Sequence, residues 1–362
     1  MKRRQFLRAA GIGMAAAAVA KPAIAQSMPE LKWRATSSFP KSLDTIYGAI
    51  EVFAKAVAEV TDNKFQIQTF AAGEIVPGLQ ALDAVTSGTV EMAHTSSYYY
   101  VGKDPTFAFG TAVPFGLNSR MQNAWLYIGG GNELLNDFYK KYGVYGMPCG
   151  NTGCQMGGWF RKEIREPGDF NGLKFRIGGY AGRVLQKLGA VPQQIAGGDI
   201  YPALEKGTID AAEWVGPYDD EKLGLQKIAP YYYYPGWWEG GALIHNFINI
   251  EKWNALSPTY KAVIQTCSEK AHTWMQSKYD NANPAALKRL VASGAKLQPF
   301  SPAVMEACLK AALDLYHEVS ATNADFKKVY EAMMAYRNDQ YLWWQVAEYT
   351  YDSYIIRNRT RT

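Results

Sequence analysis

The sequence has few of the residues on which enzymes most often depend, and it lacks their short motifs. It contains only four histidines and four cysteines, and no two histidines have the spacing of metal ligands. The motifs G-x-S-x-G, H-E-x-x-H, G-x-x-x-x-G-K-[ST] and C-x-x-C do not occur. These absences argue against serine hydrolases, zinc proteases, P-loop nucleotidases and thiol oxidoreductases.

The cysteines are also too few for a scaffold held together by disulfides. A chain of 362 residues can bury a sizeable apolar core and does not need such crosslinks. Cys149 and Cys154 are close enough in sequence to pair, but we expect mostly free, buried thiols.

Beyond its first 25 residues the sequence has no excess of basic charge. The formal net charge is +5, and the leader alone holds five basic residues and no acid: Lys2, Arg3, Arg4, Arg8 and Lys21. Without the leader the chain is close to neutral, so it has no basic stripe for nucleic acid or anionic lipid.

The leader itself predicts export. Arg3 and Arg4 precede the mild apolar run "AAGIGMAAAAVA", and Ala23-Ile24-Ala25 is a small-x-small cleavage site. We therefore predict a twin-arginine signal peptide over residues 1–25 and a mature protein in the periplasm. The alternative, a short anchor helix, is disfavoured because the run is too short and too rich in alanine to span a bilayer. No other segment has the pattern of a membrane span.

Strand and helix patterns alternate along the mature chain. Strands are predicted at Leu31–Phe39, Lys64–Phe70 and Gly172–Gly179, and a long one at "ALIHNFINI". The stretch "GNTGCQMGGWF" is also interpreted as a strand. Helical segments follow, including "SPTYKAVIQTCSEKAHTWMQSKYDNA" and "NPAALKRLVASG". This order predicts an α/β fold with a largely parallel sheet.

An internal echo indicates two halves built on one plan. "VTSGTVEMA" and "LEKGTIDAA" share a helix end, a Gly-Thr turn, a β-branched residue, an acid and a final alanine. Gly88 and Gly207 are predicted to end helices. The echo aligns His94-Thr95 with Glu213-Trp214, and both pairs then lie at the carboxyl ends of strands, where open α/β sheets bind ligands.

Several polar residues stand in apolar surroundings and form the candidate site. Gln155 lies among small residues, Arg176 lies in a strand before Gly-Gly, and Glu213 and Glu239 each adjoin a tryptophan. We expect the glycines after Arg176 to clear space beside its guanidinium, which can bind a carboxylate with two hydrogen bonds. By contrast, we interpret Asp219, Asp220 and Glu221 as an ordinary helix start with no part in binding.

The charges of this candidate site predict a cation. One Arg and two Glu sum to −1, and an anionic ligand would bring the sum to −2, which is costly in a closed cleft. Oxygen ligands favour a hard cation such as Na⁺ or Ca²⁺ over zinc or copper. Charge counting allows either, and we expect Na⁺ rather than Ca²⁺ as the bridging cation.

At these residues the sequence resembles the periplasmic solute-binding subunits of TRAP (tripartite ATP-independent periplasmic) transporters, and within them the members that bind 2-oxoacids. The resemblance spans nearly the whole mature chain, and long stretches such as "AGEIVPGLQALDAV", "GDIYPALEKGTIDAAEWVGPYDDEKLG" and "YYYYPGWWEGG" carry it. It implies that Arg176 binds the carboxylate of the solute. It also implies that the cation and solute ligands are Gln155, Glu213, the main-chain carbonyl of Trp214, and Glu239.

The resemblance further implies a two-lobed periplasmic binding protein fold with the ligand cleft between the lobes. We expect lobe I at 26–150, with part of 243–290 crossing back, lobe II at 151–242, a helical packing region at 291–328, and a long C-terminal helix at 329–362. In the 2-oxoacid binders a similar helix swaps between protomers, so we predict a homodimer through it, although a helix folded back on its own chain is the alternative. The small and large TRAP permease subunits are the implied membrane partners.

The function predicted from the sequence is therefore binding without catalysis, with a short 2-oxo or 2-hydroxy acid such as pyruvate as solute. Two alternatives stay open. A twin-arginine-exported oxidoreductase fits the leader but finds no cofactor motif. A periplasmic sugar receptor would use the tyrosine runs at 98–100 and 231–234 for stacking but leaves Arg176 and the two glutamates unexplained.

Overall fold

Two mixed β-sheets flanked by helices form the framework of the chain. The computed structural model describes residues 29–360, so the predicted signal peptide at 1–25 lies outside the described residues. From Lys32 onward the described chain forms one unit that contains both sheets. The predicted α/β class with two lobes is confirmed.

The strands and helices alternate through the first two thirds of the chain, and helices dominate after them. The strands are β1 (Leu31–Ser37), β2 (Phe65–Phe70), β3 (Met92–Thr95), β4 (Val144–Asn151), β5 (Trp159–Phe160), β6 (Lys174–Arg176), β7 (Val191–Gln193), β8 (Ala211–Ala212), β9 (Tyr231–Tyr234), β10 (Leu243–Asn249) and β11 (Lys296–Pro299). The helices are α1 (Gly48–Val60), α2 (Ala81–Thr86), α3 (Ser119–Tyr127), α4 (Gly131–Tyr139), α5 (Gly179–Lys187), α6 (Ile200–Glu205), α7 (Pro217–Leu223), α8 (Ile250–Ala255), α9 (Pro258–Ala292), α10 (Pro302–Thr322), α11 (Ala324–Val346) and α12 (Glu348–Asn358).

The sheets are mixed rather than largely parallel, so that part of the prediction is wrong. The first sheet has the order β2-β1-β3-β10-β4 and the second the order β11-β9-β5-β8-β6-β7. Strand β3 is parallel to β1, and β8 is parallel to β6. Strand β10 is antiparallel to both β3 and β4. The chain enters β10 directly from β9 of the second sheet. A βαβ crossover, which would make the strands that it joins parallel, is not involved.

Glycines decide two local features that position the site. Gly88 and Gly207 follow α2 and α6 with φ of +74° and +71°, the left-handed conformation predicted for both helix ends. The stretch "GNTGCQMGGWF" is not one strand. Strand β4 ends at Asn151, and Gly153 and Gly158 take φ of +70° and +85°, so the chain between β4 and β5 is irregular.

Helix α9 is a single helix of 35 residues, where the sequence predicts two segments. Its start follows the expected chemistry: the hydroxyl of Ser257 accepts a hydrogen bond from the backbone N–H of Tyr260, and Pro258 takes the first helical position. Pro284 lies inside the helix without dividing it. The helix contacts both halves of the protein, through Ser268 at strand β4 and through Asn283 at helix α7.

The C-terminal segment forms two helices, where we expect one over 329–362. Helix α11 begins at Ala324, and Ala347 leaves the helical conformation with φ −91° and ψ −90° before α12 begins. Arg120 of α3 pairs with Glu348 of α12 and lies 4.9 Å above the ring of Trp344 in α11. Among residues 29–360, no helix combines the length and apolar character needed to cross a membrane.

Candidate functional site

Arg176 ends strand β6 and lies in the interior, with 1% of its surface exposed. Its Nε donates to the carbonyl of Ile195 at 3.0 Å, and its Nη1 donates to the carbonyl of Glu213 at 2.7 Å and to the carboxylate of the same residue. Its Nη2 is buried and has no hydrogen-bond partner in the described protein. The guanidinium is therefore held on two sides and directs one unsatisfied donor group elsewhere.

Glu213 follows the last residue of strand β8 and is fully buried. Its Oε1 accepts from Arg176 and from the backbone N–H of Gly178 at 2.9 Å, while Oε2 is buried without a partner. Burial raises the pKa of Glu213, against the lowering effects of Arg176 and the Gly178 N–H. Burial in turn lowers the pKa of Arg176, but the charges of Glu213, Tyr99, Tyr98 and Glu239 together outweigh it, so the net pKa of the guanidinium is raised.

The loops that carry Gln155 and Glu239 are joined by their backbones. The N–H of Gln155 donates to the carbonyl of Glu239 at 3.1 Å, and the N–H of Met156 donates to the carbonyl of Val215 at 3.0 Å. These bonds bring the segments after β4, β8 and β9 together at one place. The side chains of Gln155 and Glu239 are buried, and within residues 29–360 the Oε1 of Gln155 and the Oε2 of Glu239 have no partner.

The carboxyl group of Glu239 is the most perturbed acid of the group. Burial raises its pKa well above the ordinary value, and the nearby charge of Glu213 raises it further. Hydrogen bonds from Tyr98 and Gln155 and the charge of Arg176 act in the opposite direction. A second negative charge is therefore unfavourable here unless a cation compensates it.

Trp214 contributes its ring to a cavity between the two sheets. The guanidinium of Arg176 lies 5.0 Å from the ring centre, and Phe39 contacts the ring edge-on at 6.3 Å. The cavity is small: the centre of a water-sized sphere can reach only about 10 Å³ of it. Its lining comes from both sheets and from the loops between them: Phe39, Ile46, Ser96, Tyr98, Tyr99, Thr152, Gln155, Trp214, Val215, Ala242 and Ile244.

The structure thus brings the five predicted residues together but places them in two layers. Gln155 and Trp214 line the cavity, whereas Arg176, Glu213 and Glu239 are buried and are not part of its lining. A buried charge is stable only when partners compensate it, and these three charged groups partly compensate one another.

Tyr98 is a residue of this site that sequence reasoning assigned elsewhere. A side chain added at Gly178 or Gly179 would collide with the ring of Tyr98, and Gly179 has φ +62°. The two glycines therefore make room for a tyrosine and not for a ligand beside the guanidinium, so that prediction is wrong. The signal was present in the run Tyr98–Tyr100, which we interpreted only as a sugar-stacking surface.

Two further acids proved to be buried. Asp219 and Asp220 start helix α7 as predicted, but both are fully buried. Asp220 accepts from the indole N–H of Trp159 at 3.0 Å and from the hydroxyl of Tyr232 at 2.8 Å. Burial raises the pKa of Asp219 to about 7 and that of Asp220 to about 6. They are not solvated bystanders, and neither residue's distant partners could be foreseen from local sequence.

The unsatisfied oxygens of the site suit a hard cation. Glu213, Glu239 and Gln155 each direct one buried, partnerless oxygen, and the three protein charges sum to −1. Oxygen donors of this kind favour Na⁺ or Ca²⁺. Within the described residues no cluster of three or more His, Cys, Asp or Glu side chains is arranged for a metal. Amide and carbonyl oxygens would therefore have to complete any ligand set here.

All four cysteines are free, and Cys154 is exposed.

Comparisons with known proteins find similar solute-binding proteins. The family model described as bacterial extracellular solute-binding protein, family 7, matches residues 36–323. The chain is 49% identical over 360 residues to a monocarboxylate 2-oxoacid-binding periplasmic protein of Nostoc sp., covering 98% of this chain and 99% of that protein.

Solved structures are similar over most of the chain. A TRAP transporter solute-binding protein from Bordetella bronchiseptica, crystallised as a dimer with calcium and picolinate, is 50% identical, with a TM-score of 0.91 over 92% of this chain and 99% of that one. A TRAP periplasmic solute-binding protein from Pseudoalteromonas atlantica with bound sodium and pyruvate is 38% identical, with a TM-score of 0.87 over 90% of this chain and 99% of that one.

Proposed function

The chain belongs to bacterial extracellular solute-binding protein family 7, as a periplasmic solute-binding protein of the TRAP type, and we propose that its solute is a short 2-oxo monocarboxylate such as pyruvate. Proteins of this family bind solutes and do not catalyse reactions, so the oxidoreductase alternative is abandoned. The observation that carries the proposal is the set of buried, partnerless oxygens on Glu213, Glu239 and Gln155 beside the partnerless Nη2 of Arg176.

In this proposal Arg176 binds the carboxylate of the solute through Nη2. Its Nε and Nη1 already donate to the carbonyls of Ile195 and Glu213. While those bonds persist, only Nη2 is available to the carboxylate of the solute. The small volume of the cavity and its apolar walls favour a solute with a short carbon chain.

A cation bound by Gln155, Glu213, Glu239 and the carbonyl of Trp214 would bridge the carboxylate and 2-oxo oxygens of the solute. With the acid present the local charge is −2, and Na⁺ would change it to −1 and Ca²⁺ to 0. The relatives contain either ion. Our expectation of Na⁺ over Ca²⁺ stays a prediction, which titration with each ion measures.

The test is calorimetric titration of chelator-treated protein with pyruvate in sodium-free buffer, then with added NaCl or CaCl₂. We expect binding and a raised melting temperature only with a suitable cation. Propionate, which lacks the 2-oxo oxygen, should bind at least ~100-fold more weakly, because the site's polar groups would then stay unpaired. Equal binding of both acids would contradict the bridging role.

The residue-level test is Arg176→Ala, which we expect to abolish the pyruvate-dependent rise in melting temperature. Arg289→Ala is the matched control, because Arg289 forms an exposed pair with Glu221 away from the cavity. A Glu239→Gln variant should bind pyruvate only at higher cation concentration. Unchanged pyruvate binding by the Arg176 variant would refute its proposed role.

We further propose a homodimer formed through the C-terminal helices, for delivery of the solute to the TRAP permease subunits. Large apolar side chains of α11 and α12 are exposed to an unusual degree: Tyr341, Leu342, Trp343, Val346, Tyr349, Tyr351, Tyr354, Ile355 and Ile356. A group of exposed large apolar side chains on neighbouring helices is typical of a protein–protein interface. Sedimentation velocity of Val346→Glu should show monomers, and Lys328→Glu, on the same helix, should leave dimers.

A further inference from the structure

Asp219 is a fully buried acid that contacts a wall of the cavity without lining it. Its Oδ2 accepts a hydrogen bond from the indole N–H of Trp214 at 3.3 Å and another from the hydroxyl of Tyr279 at 2.7 Å. Its Oδ1 is buried and has no partner in the described protein. One carboxylate thus holds an aromatic ring of the cavity and a tyrosine of helix α9 together.

The ring that Asp219 holds lies at the centre of the site. Arg176 stacks on one face of Trp214 at 5.0 Å, and Phe39, which follows strand β1 of the first sheet, contacts its edge. A side chain added at Gly197 would come within 3 Å of the same ring. The position of the indole therefore affects the guanidinium and the contact between the two halves of the protein.

The other partner of Asp219 belongs to the helix that contacts both halves. Tyr279 is fully buried in α9, and four residues later Asn283 accepts from the backbone N–H of Tyr218 in α7 at 3.0 Å. Nearer its start, α9 contacts strand β4 through Ser268. Asp219 therefore connects a ring of the cavity to this helix.

Asp220 makes the same kind of side-chain contact away from the cavity, and it contacts the lining only through a backbone group, the N–H of Val215, which donates to its Oδ1 at 3.2 Å. Its carboxylate also accepts from one indole and one phenol, those of Trp159 and Tyr232. The rings of Trp159 and Tyr232 stack on each other at 3.8 Å, and neither lines the cavity. The chain thus contains a matched pair of buried acids, of which only one holds a cavity side chain.

We propose that Asp219 is a positioning residue for solute binding, which fixes the Trp214 indole against Arg176 and connects it through Tyr279 to helix α9. This inference depends on the proposed function, because it concerns the same site. Replacing the carboxylate by a neutral amide would weaken the hydrogen bond from the indole, which could then adopt other orientations, and we expect pyruvate affinity to fall by roughly tenfold.

A double-mutant cycle tests this inference, with pyruvate in the presence of CaCl₂ as the probe. Asp219→Asn and Trp214→Phe should each weaken pyruvate binding, and Asp219→Asn should have no further effect in the Trp214→Phe background. Trp159→Phe is the matched control. It removes an indole-to-carboxylate hydrogen bond at equal burial, and we expect pyruvate affinity to change by less than about twofold.

A spectroscopic readout separates positioning from loss of stability. In protein labelled with ¹⁵N-tryptophan, the Trp214 indole signal is identified by its absence from Trp214→Phe. That signal should shift in Asp219→Asn and Tyr279→Phe, and again when pyruvate binds. Tyr279→Phe leaves the carboxylate in place and keeps the test decisive if Asp219→Asn does not fold.

The outcomes distinguish this inference from the proposed function. If the unaltered protein does not bind pyruvate, the proposed function fails. If it binds pyruvate but Asp219→Asn and Tyr279→Phe bind equally well, the positioning role is overturned while the function stands. Additive effects of Asp219→Asn and Trp214→Phe on affinity would also overturn it, because Asp219 would then act independently of the indole.

Discussion

The ends of strands β3 and β8 show how two halves with one backbone plan acquire different chemistry. Each strand follows a helix that ends in a left-handed glycine. Each is preceded by an acid that accepts a backbone N–H of the neighbouring parallel strand, Glu91 from Arg34 at 2.7 Å and Asp210 from Lys174 at 3.0 Å. The echo in the sequence is therefore an echo in the structure.

The two ends differ in charge. In the first sheet, His94 contacts the hydroxyl of Ser37 at 3.3 Å, and burial lowers the pKa of His94 to about 3, so it is neutral. The hydroxyl of Thr95 accepts a hydrogen bond from the hydroxyl of Ser38 and is hydrogen-bonded to the hydroxyl of Tyr100. In the second sheet, the equivalent Glu213 forms an ion pair and keeps an unsatisfied oxygen. The plan is shared, and the two aligned residues at the carboxyl end of each strand, His94-Thr95 and Glu213-Trp214, give the two ends their different charge.

The largest expected contrast is in the cost of altering these two strand ends. Glu213→Gln removes the carboxylate that pairs with the buried guanidinium of Arg176, and we expect the free energy of unfolding to fall by about 3–5 kcal/mol. His94→Gln replaces one neutral polar group by another and should cost about 1 kcal/mol. Urea unfolding of the solute-free protein measures both.

A paired replacement sharpens this result. Arg176→Met with Glu213→Leu removes both charges together, so much of the lost stability should return, while pyruvate binding stays absent. If His94→Gln cost as much as Glu213→Gln, the two strand ends would be energetically equivalent, and the contrast between them would not hold.

Sequence reasoning succeeded where the determining interactions are local. The strand and helix periods, the two helix-ending glycines and the polar residues in apolar stretches are all visible within a few positions. Arg176 and Glu213 could be grouped because each stands among apolar residues and because the resemblance implies a role for both. The direction of β10 could not be predicted, because pairing with strands distant in sequence decides it.

The errors concern partners that are distant in the chain. The reason for Gly178 and Gly179 is the ring of Tyr98, about 80 residues earlier. The reason for Asp219 is Tyr279, 60 residues later. Acids at a helix start are usually solvated, so only the folded structure could show that these are buried.

The second contrast concerns pH, since the first sheet buries histidines and the second buries acids. Burial lowers the pKa of His245 to about 3 from 6.5, so its contribution to stability is complete above pH 6.5 and is lost as the pH falls toward 3. Burial raises the pKa of Asp220 to about 6 from 3.8, so its contribution is complete below pH 3.8 and is lost as the pH rises through 6. Each changes stability by about 1.4 kcal/mol per pH unit within its window.

Two single variants separate these contributions. His245→Phe keeps a ring against Phe247, where the rings stack at 5.2 Å, and gives up no hydrogen bond because both ring nitrogens lack partners. It should stabilise the protein at pH 4.5 relative to pH 7.5. Asp220→Asn should do the reverse. Parallel pH profiles of unfolding for both variants and the unaltered protein would show that neither group titrates as described.

The smallest expected effect tests what the two halves share. Gly88→Ala and Gly207→Ala each force alanine into the left-handed conformation, which costs about 1–2 kcal/mol, and an added Cβ meets no atom within 4 Å at either position. We therefore expect equal losses in thermal unfolding from the two substitutions. Gly198→Ala is the control, because it is equally open but its φ does not lie in the left-handed range, so its effect should be close to zero. Unequal losses at Gly88 and Gly207 would mean that the common plan does not extend to the energetics of the helix ends. Equal losses would leave the charge at the carboxyl ends of β3 and β8 as the difference between the two halves.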